Sequence, residues 1–166
     1  MEKKFGVFKT VDELIRAAEA QKKEGDLDAL VALAKENGLD REDAEDYFDD
    51  LYDEFCTPKT AAIAKINMEA EELQLKSQLK DWKDIIITLI VGSTDYKLAE
   101  AAFDPDKHLV DVLGLALKEA SKNRVKVDER IIKAAGLPTS AAQIGMCGRD
   151  ELKRIVREYY LGGSAK

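Results

Sequence analysis

Histidine occurs once in this chain, at His108, and cysteine twice, at Cys56 and Cys147. One histidine cannot build the paired Glu-x-x-His ligands of carboxylate-bridged metal sites in helical bundles. Two cysteines far apart in sequence make neither a disulfide framework nor a CxxC pair. Glycine-rich phosphate loops, GxSxG and HExxH are all missing. The longest apolar run, Ile85 to Val91 around Thr88, falls well short of the ~18 residues that a membrane span needs. The opening MEKKFGVFKTVDEL lacks the apolar core of a signal peptide. These absences lead us to expect a cytoplasmic protein with reduced thiols, no membrane partner, no metal and no cofactor. They do not exclude catalysis, because a site gathered from distant residues leaves no local signature.

What the chain does have is charge, unevenly placed. Of its 166 residues, 36% are charged and 45% hydrophobic, with a net charge of −7. That much apolar content supports a folded core and argues against general disorder. Residues 12–54 hold sixteen acids and five bases, whereas residues 103–166 hold nine acids and twelve bases. The front of the chain is acidic and its back mildly basic, so the two ends are candidates to face and partly neutralise each other.

Helix signals run the length of the sequence. Thr10 or Asp12 can cap a first helix that ends before Gly25. Asp26 caps a second, with Gly38 at the C′ position where positive φ is needed. Asp40 opens a third. Thr57-Pro58 combines a capping hydroxyl with proline at N1. No glycine or proline interrupts residues 58–91. Met68, Leu75, Leu79, Trp82, Ile86 and Leu89 form a heptad-like stripe there, and Ile63, Ile66, Ala70 and Leu73 lie on a neighbouring face. This predicts one long central helix, open to a break near 81–84. Residues 85–91 are β-branched enough for a strand, but partner strands are scarce and a buried helix is favoured. The stripe over 68–89 could also pair two copies of the chain. Further helices are expected from Thr94 to Phe103, from Asp104-Pro105 to Asn123, over Val127–Ala135 and from Arg149 to Leu161, with one short turn at Ser140–Gln143. The fold class is therefore mainly α: a compact multi-helix bundle, with an acidic N-terminal helical subdomain (1–56) and a helical core (57–166).

Residues 40–54, DREDAEDYFDDLYDE, hold nine carboxylates and one base. Ala44, Tyr47, Phe48, Leu51, Tyr52 and Phe55 recur at spacings of three and four, the pattern of one helix face. Such a helix would turn Asp43, Asp46, Asp49, Asp50 and Asp53 to solvent, where they attract a basic protein surface and repel phosphates. The stretch lacks the glycine and the alternating ligands of an EF-hand loop. Residues 33–47 fit a helix-turn-helix spacing, but its second helix would carry carboxylates into the phosphate field of the groove, which argues against DNA readout. His108, with Asp106 and Asp111 in the first turns of one helix, suggests acid–base chemistry or an ordinary helix start. In the basic third, Arg149, Lys153, Arg154 and Arg157 of the last helix are the candidates for nucleic-acid contact, against internal pairing with the acidic front.

The words ALVALAKENGLDREDAEDYF, within Val11 to about Phe55, resemble the helical leader of Nif11-type modified-peptide precursors. The resemblance implies an acidic helical segment read by a docking partner. A Cys/Ser/Thr-rich core, which follows the leader in that family, does not follow here. The tail MCGRDELKRIVREYYLGG resembles small accessory proteins of phages and conjugative elements, which implies regulation by binding. The leading expectation is a non-catalytic interaction or regulatory module that shows an acidic helix to a basic partner, including as a nucleic-acid mimic. The alternatives are a nucleic-acid-binding regulator using the basic C-terminal helix, and an enzyme with a dispersed site.

Overall fold

The computed structural model describes residues 4–162. Nine helices are present among them: α1 (Val11–Glu24), α2 (Leu27–Glu36), α3 (Arg41–Phe48), α4 (Pro58–Glu72), α5 (Gln78–Val91), α6 (Lys97–Phe103), α7 (Leu109–Lys122), α8 (Glu129–Ala134) and α9 (Arg149–Leu161). Two short strands, β1 (Val125–Lys126) and β2 (Gln143–Ile144), pair antiparallel, with Val125 opposite Ile144 and Lys126 opposite Gln143. The mainly α multi-helix bundle expected from the sequence is what forms. None of the helices is long and apolar enough to cross a membrane among the described residues.

Local chemistry explains most helix starts. The Thr10, Asp26 and Thr57 side chains accept from the backbone N–H groups of Glu13, Ala29 and Thr60, and Pro58 occupies the first helical turn. Gly25 and Gly162 close α1 and α9 in the left-handed conformation. Such caps satisfy backbone groups that a helix end leaves without partners.

The apolar faces fill two clusters. One holds Leu14, Leu30, Leu33, Tyr47 and Phe55, with Ala61 of α4 and Phe103 of α6 reaching into it. The other gathers Ile66, Trp82, Ile86, Leu109, Val112 and Leu152 from α4, α5, α7 and α9. Residues 85–91 are helical, and Ile86 and Ile90 are fully buried.

The central segment is not one helix. It turns at residues 73–77, ahead of the break expected near 81–84, with Gln74 at φ 50° and Ser77 at φ 49°. A straight helix would point its two apolar faces in different directions. The turn lets α4 pack on α6 while α5 packs on α9. Trp82 and Ile86 of the 68–89 stripe are buried in the chain's own core, so the stripe is not a continuous exposed seam.

Lysines then join the helices end to end. Lys59 Nζ donates to the Val91 and Ser93 carbonyls at the end of α5, at 2.8 and 2.6 Å. Lys65 Nζ donates to the Ala102 carbonyl near the end of α6, at 3.0 Å, and to the Lys107 carbonyl. Lys22 donates to the Tyr47 carbonyl near the end of α3, and Lys107 to the Tyr160 carbonyl near the end of α9. A cation at a helix C-terminus meets both unpaired carbonyls and the negative end of the dipole.

Residues 124–146 form an excursion from the bundle, in which Ile132 alone is buried. Residues 140–143, expected as a helical turn, instead lead into β2. The excursion is seated by Gly145, where a Cβ would come within 2.1 Å of the Ala120 carbonyl oxygen. Gly145→Ala must therefore lift the excursion off α7. We expect it to cost about 1–3 kcal/mol of stability, read by urea denaturation, and an unchanged midpoint would refute this seating.

Tyr160 is 1% exposed, and its hydroxyl has no hydrogen-bond partner among the described residues. Burial holds that hydroxyl neutral by raising its pKa far above the usual tyrosine value. Because a buried unpaired hydroxyl costs about 1–3 kcal/mol, Tyr160→Phe should equal or exceed the wild type in stability. A clear loss in thermal denaturation would show that the hydroxyl has a partner.

Candidate functional site

The acidic segment is only partly helical. α3 ends at Phe48, and residues 49–54 turn away from it, with Asp50 at φ 60°. The single long helix face expected over 40–54 does not form, and the reason is electrostatic. No base lies in the last turn of α3, and each further Asp or Glu would meet the negative end of the helix dipole. Leu51 and Tyr52, expected inward, are 69% and 49% exposed. Tyr47 and Phe55 do turn inward, ring edge to ring face at 5.6 Å.

This turn separates the predicted site residues. Asp43 and Asp46 lie half-buried on α3, whereas Asp49, Asp50 and Asp53 are exposed on the turn. Asp50 pairs with Lys22 at 2.6 Å, and the Lys22 ammonium also sits 4.2 Å from the centre of the Tyr47 ring. The turn also brings residues together. Asp43 of α3 and Asp53 and Glu54 of the turn line one open groove of about 530 Å³, with the Tyr52 ring on its wall and Cys56, Thr57 and Thr60 along it. The Cys56 thiol is pushed up to about 12, first by burial and then by the Glu54 charge, which makes it a poor nucleophile. Burial likewise raises the Cys147 thiol. The groove thus combines three carboxylates with an exposed aromatic face, a chemistry that suits a lysine or arginine side chain.

A second polar cluster joins α4 to the start of α7. His108 is not in the first turn of a helix, as expected, but is the residue before α7, and Asp106 lies further out. One oxygen of Glu69 accepts from the Leu109 backbone N–H at 2.7 Å, and the other lies 3.1 Å from His108 Nδ1. Lys65 adds an ion pair to Glu69 at 3.3 Å. The Tyr159 hydroxyl accepts from the His108 N–H at 2.9 Å and donates to Asp111 at 2.7 Å. An adjoining cleft of about 280 Å³ is lined by Phe8, Lys65, Met68, Glu69, Phe103 and His108, among others. Among the described residues its lining includes no serine, threonine or cysteine. Glu69 lies 39 residues from His108, and no local spacing in the sequence links them.

The basic helix is α9. Arg149, Lys153 and Arg157 are exposed along one side of it. Arg154 is held by Glu151 and by Glu158, the latter at 2.7 Å, and these bonds raise its already high pKa. Its charge is thereby largely compensated within the helix. No ion pair among the described residues joins the acidic front (12–54) to the basic back (103–166). The neutralisation suggested by the sequence is thus not made through direct ion pairs among these residues.

No protein-family model matches the chain, and neither a curated protein nor a solved structure matches it.

Glu69 is only 19% exposed and serves the α7 backbone, His108 and Lys65, whereas His108 is 50% exposed. Glu69→Ala should cost about 1–3 kcal/mol, because it removes the ion pair to Lys65 and leaves the α7 start without its acceptor. His108→Ala should cost less than about 1 kcal/mol. Urea midpoints separate the two, and equal losses would mean that the histidine, rather than the helix start, is what Glu69 supports.

Proposed function

We propose that this chain is a non-catalytic, cytoplasmic interaction module. It receives basic side chains of a partner protein in the groove between α3 and the turn at 49–54. The observation that carries this reading is the grouping of Asp43, Asp53 and Glu54 around the exposed Tyr52 ring. Nearby Leu51 adds apolar area that is not needed by the chain's own core. In such a contact the apolar residues set lifetime, and the carboxylates set encounter rate and choice of partner. The same surface could act as a nucleic-acid mimic, occupying the phosphate-binding groove of its partner.

A second reading, a nucleic-acid-binding regulator, draws support from Arg149, Lys153 and Arg157, which share an exposed side of α9. Deleting residues 1–55 would be a poor test of it, since Ala61 and Phe103 pack into the N-terminal cluster and would be uncovered. Substitution is cleaner.

The tagged wild type and an Asp43/Asp46/Asp49/Asp50/Asp53→Asn variant, compared in native lysate, distinguish the readings. Asparagine tolerates the left-handed conformation at position 50. The expected result is a basic protein recovered by the wild type alone and released between about 100 and 500 mM salt. Release by added nucleic acid would mark mimicry. Identical recovery by both proteins would refute the acidic groove as a docking surface. New binding of duplex DNA by the variant would favour α9.

A further inference from the structure

The excursion at residues 124–146 places apolar side chains where no described residue covers them. Val125 and Ile144 stand opposite each other across the β1–β2 pair and are 59% and 52% exposed. Ile131 of α8 and Met146 are each 61% exposed. Directly opposed side chains lie on the same face of an antiparallel pair, so Val125 and Ile144 form one patch. Four bases and two acids lie in the segment. Arg130 is bound by Asp128 at 2.8 Å, whereas Lys126 and Lys133 are exposed and have no ion pair among the described residues. The excursion is therefore apolar and cationic, and the groove beside Tyr52 is apolar and anionic. Both belong to one chain, and no ion pair among the described residues joins front and back within it.

We propose that the excursion docks into the acidic groove of a second copy of this chain, head to tail. This rests on reading that groove as a receptor for basic side chains, and it names the partner. Lys126 and Lys133 supply the charge that Asp43, Asp53 and Glu54 lack. Val125, Ile131 and Ile144 meet Leu51 and Tyr52. Because the two surfaces differ, the contact is heterologous: each bound copy still offers one free groove and one free excursion, so association continues into an open chain or closes as a ring. The net charge of −7 opposes association, but that repulsion acts at long range and is largely screened at about 100 mM salt, where the Debye length is about 10 Å.

Sedimentation analysis of the full chain tests this, with circular dichroism to confirm that each variant is folded. Asp53→Lys/Glu54→Lys reverses the groove, where Asp43 alone stays negative, and leaves Asp50 on Lys22. Lys126→Glu/Lys133→Glu reverses the excursion. At about 100 mM salt the wild type should gain mass with concentration, and it should return to monomer at about 500 mM. Each variant alone should remain monomeric, because both of its surfaces then carry the same sign. An equimolar mixture of the two should assemble again, because opposite signs are restored between molecules. Recovery in the mixture is the result that supports head-to-tail docking. A wild type that stays monomeric at every concentration overturns the proposal, as does a mixture that fails to assemble. A monomeric wild type that still recovers a basic protein through its Asp residues would overturn self-docking alone and leave the interaction-module reading standing.

Discussion

A helix cannot satisfy its own last carbonyls, and in this chain other helices do it with lysine. Lys22 from α1, Lys59 and Lys65 from α4, and Lys107 from the segment before α7 each donate to carbonyls near the end of another helix. Glu69 does the converse at the start of α7, where its carboxylate meets an N–H that lacks an intrahelical partner. These contacts set which helix ends meet, and the apolar clusters then fill between them. Hydrophobic burial supplies the driving force, but it is non-directional. The charged clips carry the directional information.

The positions of the candidate surfaces follow from this arrangement. Lys22 holds the end of α3 and pairs with Asp50, so the chain leaves the helix there in a fixed direction and folds Asp53 and Glu54 back towards Asp43. Gly145 holds the other end of the chain, because only a residue without a side chain can approach the Ala120 carbonyl so closely. The acidic groove and the basic excursion are thus both anchored on rigid elements, although each is built largely from turns.

Local signals were legible in the sequence wherever one residue type acts on its own neighbours. Thr10, Asp26 and Thr57 marked helix starts, and Gly25 and Gly38 marked stops. Apolar periodicity identified Trp82 and Ile86 as core. Periodicity misled at Leu51 and Tyr52, where the apolar spacing continued but the helix could not, because carboxylates had accumulated at its negative end. It misled again over 58–91, where two stripes on different faces required a turn that no glycine or proline announced. The lysine clips and the meeting of Glu69 with His108 were hidden for a different reason. They join residues tens of positions apart, and any exposed lysine or glutamate reads alike until the fold has brought it to a helix end.

The lysine clips bear on how the protein comes apart. α6 is seven residues long, too short to persist alone in water, and one of its last carbonyls depends on Lys65 of α4. α5 depends on Lys59 of the same helix. Loss of α4 therefore removes the closing contact of two other helices at once, and neither can outlast it. Partly melted forms that retain α5 or α6 without α4 are disfavoured, so this half of the molecule should open as one cooperative unit rather than fray helix by helix.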